Sequence, residues 1–145
     1  MVKVIVFPPT STILADMVER MGHTPLVMSG EIRKKVNTPS LESPPLNITP
    51  EDPKKGLRYA AVDVPSGIRG RMSMIGPMID EAEAALVVKD GNCLVGCTGC
   101  ARTNELARLL IKVKGIPQIE LKYPTSDAEA RRFVHDIRTF LEGLR

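Results

Sequence analysis

A strand, a turn and a helix follow one another in Ala85-Leu-Val-Val-Lys-Asp-Gly-Asn-Cys93-Leu-Val-Gly-Cys97-Thr-Gly-Cys100 and the residues after it. The first five residues form an apolar run that is typical of a buried strand. After the glycine-rich turn, apolar residues recur at helical spacing until Gly115 and Pro117, which predict the end of a helix. This helix is predicted to bury Leu106, Leu109, Leu110 and Val113.

The same alternation of strand and helix patterns continues on both sides of this segment. Strands are predicted over residues 2–7, 24–28, 57–64, 85–89 and 116–123, and helices where apolar residues recur over 13–21, 72–82, 106–113 and 133–144. Strands that alternate with helices form parallel sheets with helices on both faces. We therefore predict an α/β protein, an open three-layer sandwich with a mostly parallel sheet of about five strands, flavodoxin-like or Rossmann-like.

Capping residues mark the ends of two of these helices. Ser11 and the threonines beside it are N-cap candidates for the first helix, and Gly22 has the position of a C-terminal glycine. Ser126 and Glu129 have the spacing of a capping box at the start of the last helix. The predicted apolar stripes of the two helices are Ile13, Leu14, Met17, Val18 and Met21, and Phe133, Val134, Ile137, Phe140, Leu141 and Leu144.

The chain is predicted to form a single domain over residues 1–145, interrupted by one long loop. Its 145 residues, 43% of them hydrophobic, are enough for one core. Between residues 29 and 58 the periodicity is lost and five prolines occur, so we predict a proline-rich loop insertion. Its basic triplet Arg33-Lys34-Lys35 makes this loop a candidate docking segment for a partner protein, and a solvated insertion is the alternative.

Composition argues against several functional classes. The longest apolar runs are too short to cross a bilayer, and the first residues have the pattern of a strand, so we expect a cytoplasmic protein with no membrane association. The net charge of +3 comes from interspersed charges, and only 3% of residues are aromatic, which argues against nucleic-acid binding. No serine, histidine and acid constellation supports hydrolase chemistry.

All three cysteines lie within eight residues, at positions Cys93, Cys97 and Cys100. Three thiolates on a glycine-rich turn are a common donor set for a cubane iron-sulfur cluster, which would keep one iron open to another ligand. We therefore predict that these cysteines bind a metal cofactor. An odd number of cysteines in a cytoplasmic chain also argues against a structural disulfide framework.

Three other interpretations of the cysteines remain open. Cys97 and Cys100 form a Cys-x2-Cys pair at a helix start, where the helix dipole favours thiol-disulfide exchange. A zinc site would need a fourth ligand, and His23 and His135 fall in a helix-strand turn and within the last helix. The thiols could also be inert, in a protein without a cofactor.

Further site residues are predicted from the position of the loops. In an open parallel sheet, the loops that follow the carboxyl ends of the strands lie along one edge, where ligands bind. The segment from Ser66 to Arg71 could hold a phosphate or carboxylate, although a solvated turn is the simpler interpretation. The predicted contacts at this edge are Thr10, Ser11, Ser66, Gly67, Arg69, Arg71, Asn92, Thr98, Arg102 and Asn104.

Two segments carry a resemblance to a known family. With Val2-Lys-Val-Ile-Val-Phe-Pro-Pro-Thr-Ser at the start and Gly-Cys97-Thr-Gly-Cys100-Ala-Arg-Thr-Asn-Glu-Leu in the centre, the sequence resembles the fifth methanogenesis marker protein family over its full length. The resemblance implies a methanogenic archaeon, an anaerobic cytoplasm and a role in the maturation or activation of methyl-coenzyme M reductase. It implies no established catalytic residues.

The residues and the resemblance together predict a small cytoplasmic iron-sulfur protein that acts in electron transfer, maturation or activation and docks on a larger complex. The alternatives are a thiol-disulfide oxidoreductase that uses Cys97 and Cys100, and an interaction module without a cofactor. Whether the protein is an enzyme, and its oligomeric state, are left open by the sequence.

Overall fold

Four parallel strands and six helices make up the part of the chain that the structure describes. The computed structural model describes residues 1–37, 51–89 and 98–144, with residues 98–100 described as backbone only. The strands are β1 (Lys3–Phe7), β2 (Thr24–Leu26), β3 (Ala84–Lys89) and β4 (Gln118–Lys122). The helices are α1 (Thr12–Arg20), α2 (Met28–Val36), α3 (Glu51–Gly56), α4 (Ser66–Glu81), α5 (Thr98–Lys114) and α6 (Asp127–Glu142).

The strands form one sheet in the order β2-β1-β3-β4, and each neighbouring pair is parallel. The chain leaves β1 towards β2 on one side and then crosses to β3 on the other side. This order is that of a doubly wound α/β sheet, in which the direction of winding reverses between β1 and β3. The predicted fold class is confirmed, with four strands in place of five.

Helices cover both faces of the sheet. Ile5 and Val87 belong to one buried cluster together with residues of α4 and α5, such as Met72 and Ile111. Val6 and Leu86 belong to a second cluster with residues of α1 and α6. Side chains alternate between the two faces along a strand, so β1 and β3 are apolar on both sides.

The capping predictions for α1 and α6 are confirmed. The Ser11 hydroxyl accepts a hydrogen bond from the backbone N–H of Leu14 at 3.3 Å, and Gly22 follows α1 with φ of +80°. Only glycine adopts this left-handed conformation without strain. The Ser126 hydroxyl accepts from the backbone N–H of Glu129 at 3.2 Å at the start of α6. Local sequence therefore defines both helix starts and the end of α1.

The strand predicted over residues 57–64 is wrong. This segment forms hydrogen-bonded turns after α3, in which the N–H of Tyr59 donates to the carbonyl of Gly56 at 2.9 Å. Its apolar side chains reach the α4/α5 side of the core from these turns, because the Tyr59 ring lies over Gly76 of α4. The Tyr59 hydroxyl donates to Asp80 at 2.7 Å, and burial together with this bond raises the pKa of Tyr59 to about 12.

The loop predicted over residues 29–58 is also wrong in both of its described parts, which form α2 and α3. An ion pair joins these helices, with Lys35 Nζ 3.3 Å from a carboxylate oxygen of Asp52. Asp52 is only 5% exposed, so this pair is shielded from water. Pro53 lies in the first turn of α3, where a missing N–H costs no helical hydrogen bond. The other four prolines lie in residues 38–50, outside the described part of the chain.

Several residues of the predicted apolar stripes lie on the surface. In α5, Ala107 and Ile111 are buried and Leu106 and Leu110 pack against the core, whereas Leu109 is 56% exposed. The prediction that α5 buries Leu109 and Val113 is therefore wrong. The exposed members of the stripes are Ile13, Leu109, Val113 and Val134.

The carboxyl ends of α4 and α5 are joined by Lys114. Its ammonium group donates to the backbone carbonyls of Ile79, Asp80 and Ala82, each at 2.6 Å. These carbonyls belong to the last turn of α4 and its C-cap, where a cation is favoured by the helix dipole. No described helix is both long enough and apolar enough to cross a membrane.

Gly56 is predicted to be essential for the packing of α3 on α4. A methyl group at this position would collide with the backbone carbonyl of Arg69, which cannot move without displacing α4. We expect Gly56→Ala to lower the free energy of unfolding by about 1–3 kcal/mol, as other overpacked positions do, measured by urea denaturation.

Gly30 provides the control for this substitution. It lies in α2 with open space around its Cα, so Gly30→Ala should raise the free energy of unfolding by about 0.5–1 kcal/mol. Equal stability of the Gly56→Ala variant and the unchanged protein would show that α3 does not pack on α4 as described.

Candidate functional site

The amino-terminal ends of five described helices lie at the carboxyl edge of the sheet, including α2, which follows β2 directly. α1, α5 and α6 each follow a strand, and α4 runs back along the sheet to the start of β3, so it also begins at this edge. The winding reverses between β1 and β3, which makes the crevice between their following loops the expected binding position of such a sheet. This crevice is the candidate functional site.

The predicted cysteine ligands follow β3 in the sequence. β3 ends at Lys89 and α5 begins at Thr98, so Cys100 falls in the first turn of α5. Cys93, Cys97 and Asn92 lie outside the described residues, as do the side chains of Thr98 and Cys100. The metal-binding prediction for these cysteines therefore stays a prediction.

The loop after β1 is described and lies at this edge of the sheet. The Phe7–Pro8 peptide bond is cis, and the carbonyl of Pro9 accepts a hydrogen bond from the N–H of Met28 at 2.8 Å. This bond attaches the start of α2 to the loop. The hydroxyl of Ser11 caps α1, whereas Thr10 is exposed at the edge.

The segment from Ser66 to Arg71 is helical and is not the loop that the sequence predicted. It forms the first turns of α4, with Pro65 at the N-cap position and without a side-chain cap. Ser66 and Gly67 are exposed at the carboxyl edge of the sheet, as predicted contacts would be. The segment is helical because Ile68 is buried in the core, 4% exposed.

The arginines of this segment serve the fold. Arg69 Nε donates to the carbonyl of Val64 at 3.1 Å, and Arg69 Nη1 donates to the carbonyl of Pro53 at 3.5 Å. Arg69 thereby fastens α3 and the following turns to α4. Arg71 is half-buried and also has a partner. An anion at this helix start would therefore contact backbone N–H groups more readily than these two guanidinium groups.

Two predicted contacts lie on the first turns of α5. Arg102 is exposed, and Asn104 is half-buried. Thr103 between them is 3% exposed and has a partner within the fold. Among the described residues, Arg102 is therefore the cationic residue nearest to Cys100 in the sequence.

The two histidines offer little to a metal at this edge. His23 lies before β2, at the opposite edge of the sheet, and both of its ring nitrogens are engaged. Its Nδ1 accepts from the N–H of Val2 at 3.3 Å, and its Nε2 lies 2.9 Å from the carbonyl oxygen of Leu141. This pattern requires the tautomer protonated at Nε2. His135 is exposed in the middle of α6.

Among the described residues, no three histidine, cysteine or acidic side chains are grouped so that they could hold a metal ion. Two of the three cysteines and the side chain of the third lie outside this part of the chain. This absence therefore concerns the described surface and not the predicted cysteine site.

An acidic cap lies where α6 begins at the carboxyl edge. Glu129 Oε2 accepts from the N–H of Thr125 at 2.7 Å and from its hydroxyl at 2.8 Å. These two bonds lower the pKa of Glu129. The sequence indicated the pairing with Ser126, and the structure adds Thr125 as the donor to the carboxylate.

The topology and the position of the crevice define a doubly wound α/β protein whose candidate site is at the carboxyl edge of the sheet. Residues 2–144 match the family described as "Uncharacterized protein conserved in archaea (DUF2112)", and the chain belongs to this family. It is 54% identical over 144 residues to the "Uncharacterized protein MJ0404" of Methanocaldococcus jannaschii, covering 99% of this chain and 96% of the relative. No solved structure matches the chain.

The Glu129 cap is predicted to give the fold a pH dependence in the acidic range. Because the pKa of Glu129 is lower in the folded chain than its ordinary value of 4.5, its stabilising contribution is present above that pH and is lost as the pH falls further. We expect Glu129→Gln to lower the melting temperature at pH 7, and the difference from the unchanged protein to shrink below about pH 4.5.

Glu142→Gln is the matched control, since Glu142 lies at the other end of α6, away from the cap. It should leave this pH dependence in place. A difference between Glu129→Gln and the unchanged protein that persists at pH 2 would contradict the assigned role of the carboxylate.

Proposed function

We propose that this protein binds an iron-sulfur cluster through Cys93, Cys97 and Cys100 and acts as a redox, maturation or activation component of the methanogenesis machinery in the cytoplasm. The observation that carries the proposal is the grouping of the three cysteines between the end of β3 and the first turn of α5. That interval follows the strand at which the winding of the sheet reverses, where α/β proteins of this class bind ligands.

The donor set suits such a cluster chemically. Three thiolates can hold three irons of a cubane cluster, and the fourth iron then accepts a substrate, a solvent molecule or a partner's ligand. The first turn of a helix as long as α5, with 17 residues, favours negative charge, which thiolates and a reduced cluster both carry. When bound, the cluster would supply one-electron transfer or activation of the ligand on the open iron.

The chain itself would contribute the surroundings of the cluster. The sequence has glycines at positions 91, 96 and 99, and such residues would permit a close approach of backbone N–H groups to sulfur, which would raise the reduction potential. Arg102, exposed two residues after Cys100, adds a positive charge on the same helix turn. These groups would stabilise the reduced, more negative form.

The family supports an anaerobic setting for this chemistry. Its members are conserved in archaea, and the relative in Methanocaldococcus jannaschii belongs to a methanogen. The resemblance to the fifth methanogenesis marker family points in the same direction, towards the activation of methyl-coenzyme M reductase. Such a role requires docking on a protein complex, for which residues 29–58, with exposed cations on α2 and α3, are the proposed segment.

Anaerobic purification tests the proposal directly. The protein, reconstituted with iron and sulfide without oxygen, is expected to contain about four irons and four sulfides per chain and a visible absorption band that bleaches on reduction. Cys93→Ser, Cys97→Ser and Cys100→Ser should each lose most of the iron, because each removes one thiolate ligand. Lys112→Ala, exposed at the far end of α5, should keep it.

The outcome of the metal analysis separates the alternatives. Zinc bound in place of iron would identify a zinc site. A chain that stays free of metal after reconstitution, or cysteine variants that keep the full iron content, would contradict the proposed cluster.

A second candidate function is thiol-disulfide exchange between Cys97 and Cys100. It is favoured by the start of α5 at Thr98, between the two cysteines, because a thiol at a helix start is a better thiolate. This function predicts a reversible dithiol couple in the metal-free protein, lost in Cys97→Ser and Cys100→Ser but kept in Cys93→Ser. Titration against glutathione or dithiothreitol buffers, followed by alkylation and mass analysis, measures this couple. Identical behaviour of all three variants would exclude the exchange function.

A further inference from the structure

A cavity of about 490 Å³ opens on the α1/α6 side of the sheet, at its carboxyl edge. Leu14 and Val88, both buried, form its floor. Its lining also includes Pro8 from the loop after β1, Tyr123 after β4 and Phe133 of α6. The volume lies within the range of small-molecule sites, which extends from about 300 to 1,000 Å³.

Apolar side chains around this cavity remain exposed to water. Ile13 of α1 is 74% exposed, Tyr123 after β4 is 50% exposed, and Val134 of α6 is 43% exposed, and all three line the cavity. Ile13 and Val134 continue the apolar stripes of their helices but do not belong to the buried cluster on this face. Exposed apolar residues that surround a concavity are typical of a binding site.

The lining residues define the polarity of the ligand. None of the described side chains that line this cavity carries a charge. Its side-chain hydroxyls belong to Thr10, Ser11 and Tyr123, and that of Ser11 is already engaged as the N-cap of α1. Thr10 and Tyr123 are exposed and are therefore the hydroxyls best placed to bond a ligand.

A neighbouring cavity differs in charge. It has a volume of about 420 Å³ and shares Tyr123 and Phe133 with the first cavity, but its lining includes Lys122, Arg132 and Asp136. A charged molecule would find charged partners there, whereas the described lining of the first cavity offers none. The two cavities therefore differ in the charge of their linings.

We propose that the cavity between α1 and α6 binds an uncharged, mainly apolar small molecule that contains a ring system. A hydroxyl or carbonyl group of this molecule forms a hydrogen bond with Thr10 or Tyr123. The proposal does not depend on a cluster at the cysteines, because the described lining comes from other segments. It places a ligand site at the same edge of the sheet as the cysteine segment, on the α1/α6 face.

Methyl NMR titration with 2-naphthol tests this site. The probe has an apolar ring system and one hydroxyl group, and saturable binding should shift the methyl signals of Ile13, Leu14, Val88 and Val134. Val134→Lys should weaken the probe affinity at least about tenfold, since it places a charge and a long side chain at the cavity. Tyr123→Phe should weaken binding of 2-naphthol more than binding of naphthalene if the phenol bonds the ligand.

Val113→Lys is the matched control, because Val113 is also an exposed helical valine, 74% exposed, but lies on α5 on the other face of the sheet. It should leave the affinity unchanged, as should Cys97→Ser. These two variants together separate the cavity from general surface apolarity and from the proposed cysteine site.

Four results would overturn the proposal. The first is the absence of saturable binding at probe concentrations on the order of 1 mM. The second is an equal loss of probe affinity in Val134→Lys and Val113→Lys. The third is tighter binding of naphthalene-2-sulfonate than of 2-naphthol, and the fourth is a dimer in sedimentation analysis that Val134→Lys dissociates. The third would indicate an anionic ligand, and the fourth would assign the surface to a second copy of the chain.

Discussion

Both faces of β1 and β3 are packed against helices, and the arrangement of the rest of the molecule depends on this burial. Val4 and Val6 are inaccessible to water on the α1/α6 side, and Ile5 and Val87 are at most 4% exposed on the α4/α5 side. A polar side chain in either strand would be buried. If it had no hydrogen-bond partner, its transfer from water would cost ~2–7 kcal/mol. Chemistry is therefore confined to the ends of the strands. At the carboxyl edge, helix starts supply N–H groups that also favour anions and thiolates.

The elements whose signals are local were predictable from the sequence. Ser11 and Gly22 delimit α1 through backbone geometry that depends on neighbouring residues alone, and Ser126 does the same for α6. β1 and β3 are continuous apolar runs, which is the pattern of strands that are buried on both faces. Their sequences therefore predict central strands of a parallel sheet. These features needed no knowledge of distant parts of the chain.

The elements that were wrongly predicted depend on distant contacts. Residues 57–64 contain as many apolar residues as a strand. They form hydrogen-bonded turns instead, from which Tyr59 and Val64 pack against the core. α2 has no side-chain cap and no buried residue. Its ion pair to Asp52 joins two residues that are 17 positions apart in the sequence. The start of α4 contains two glycines and no capping side chain, so its helix depends on the burial of Ile68 and on neighbouring α3.

The sequence was informative about one part of the carboxyl edge and not about the other. Three cysteines in eight residues are visible without a structure, whereas the α1/α6 cavity requires residues from positions 8 to 134 to be brought together. Its signal in the sequence is a pair of apolar stripes that are wider than the core needs, because they include Ile13 and Val134. Only the packing of α1 beside α6 shows that they remain exposed around a concavity.

The end of β3 is where these two parts of the edge meet. Because side chains alternate along a strand, Val88 faces the α1/α6 side and forms the floor of the cavity, while Val87 faces the opposite cluster. The backbone then continues from Lys89 towards the cysteines, and α5 returns along the α4/α5 face. The cavity therefore lies on the α1/α6 face, whereas the described part of α5 packs on the other face, and the end of β3 is common to both. A substitution on α1 or α6 can alter the cavity without touching the helix that begins at the cysteines, so the two proposals succeed or fail independently.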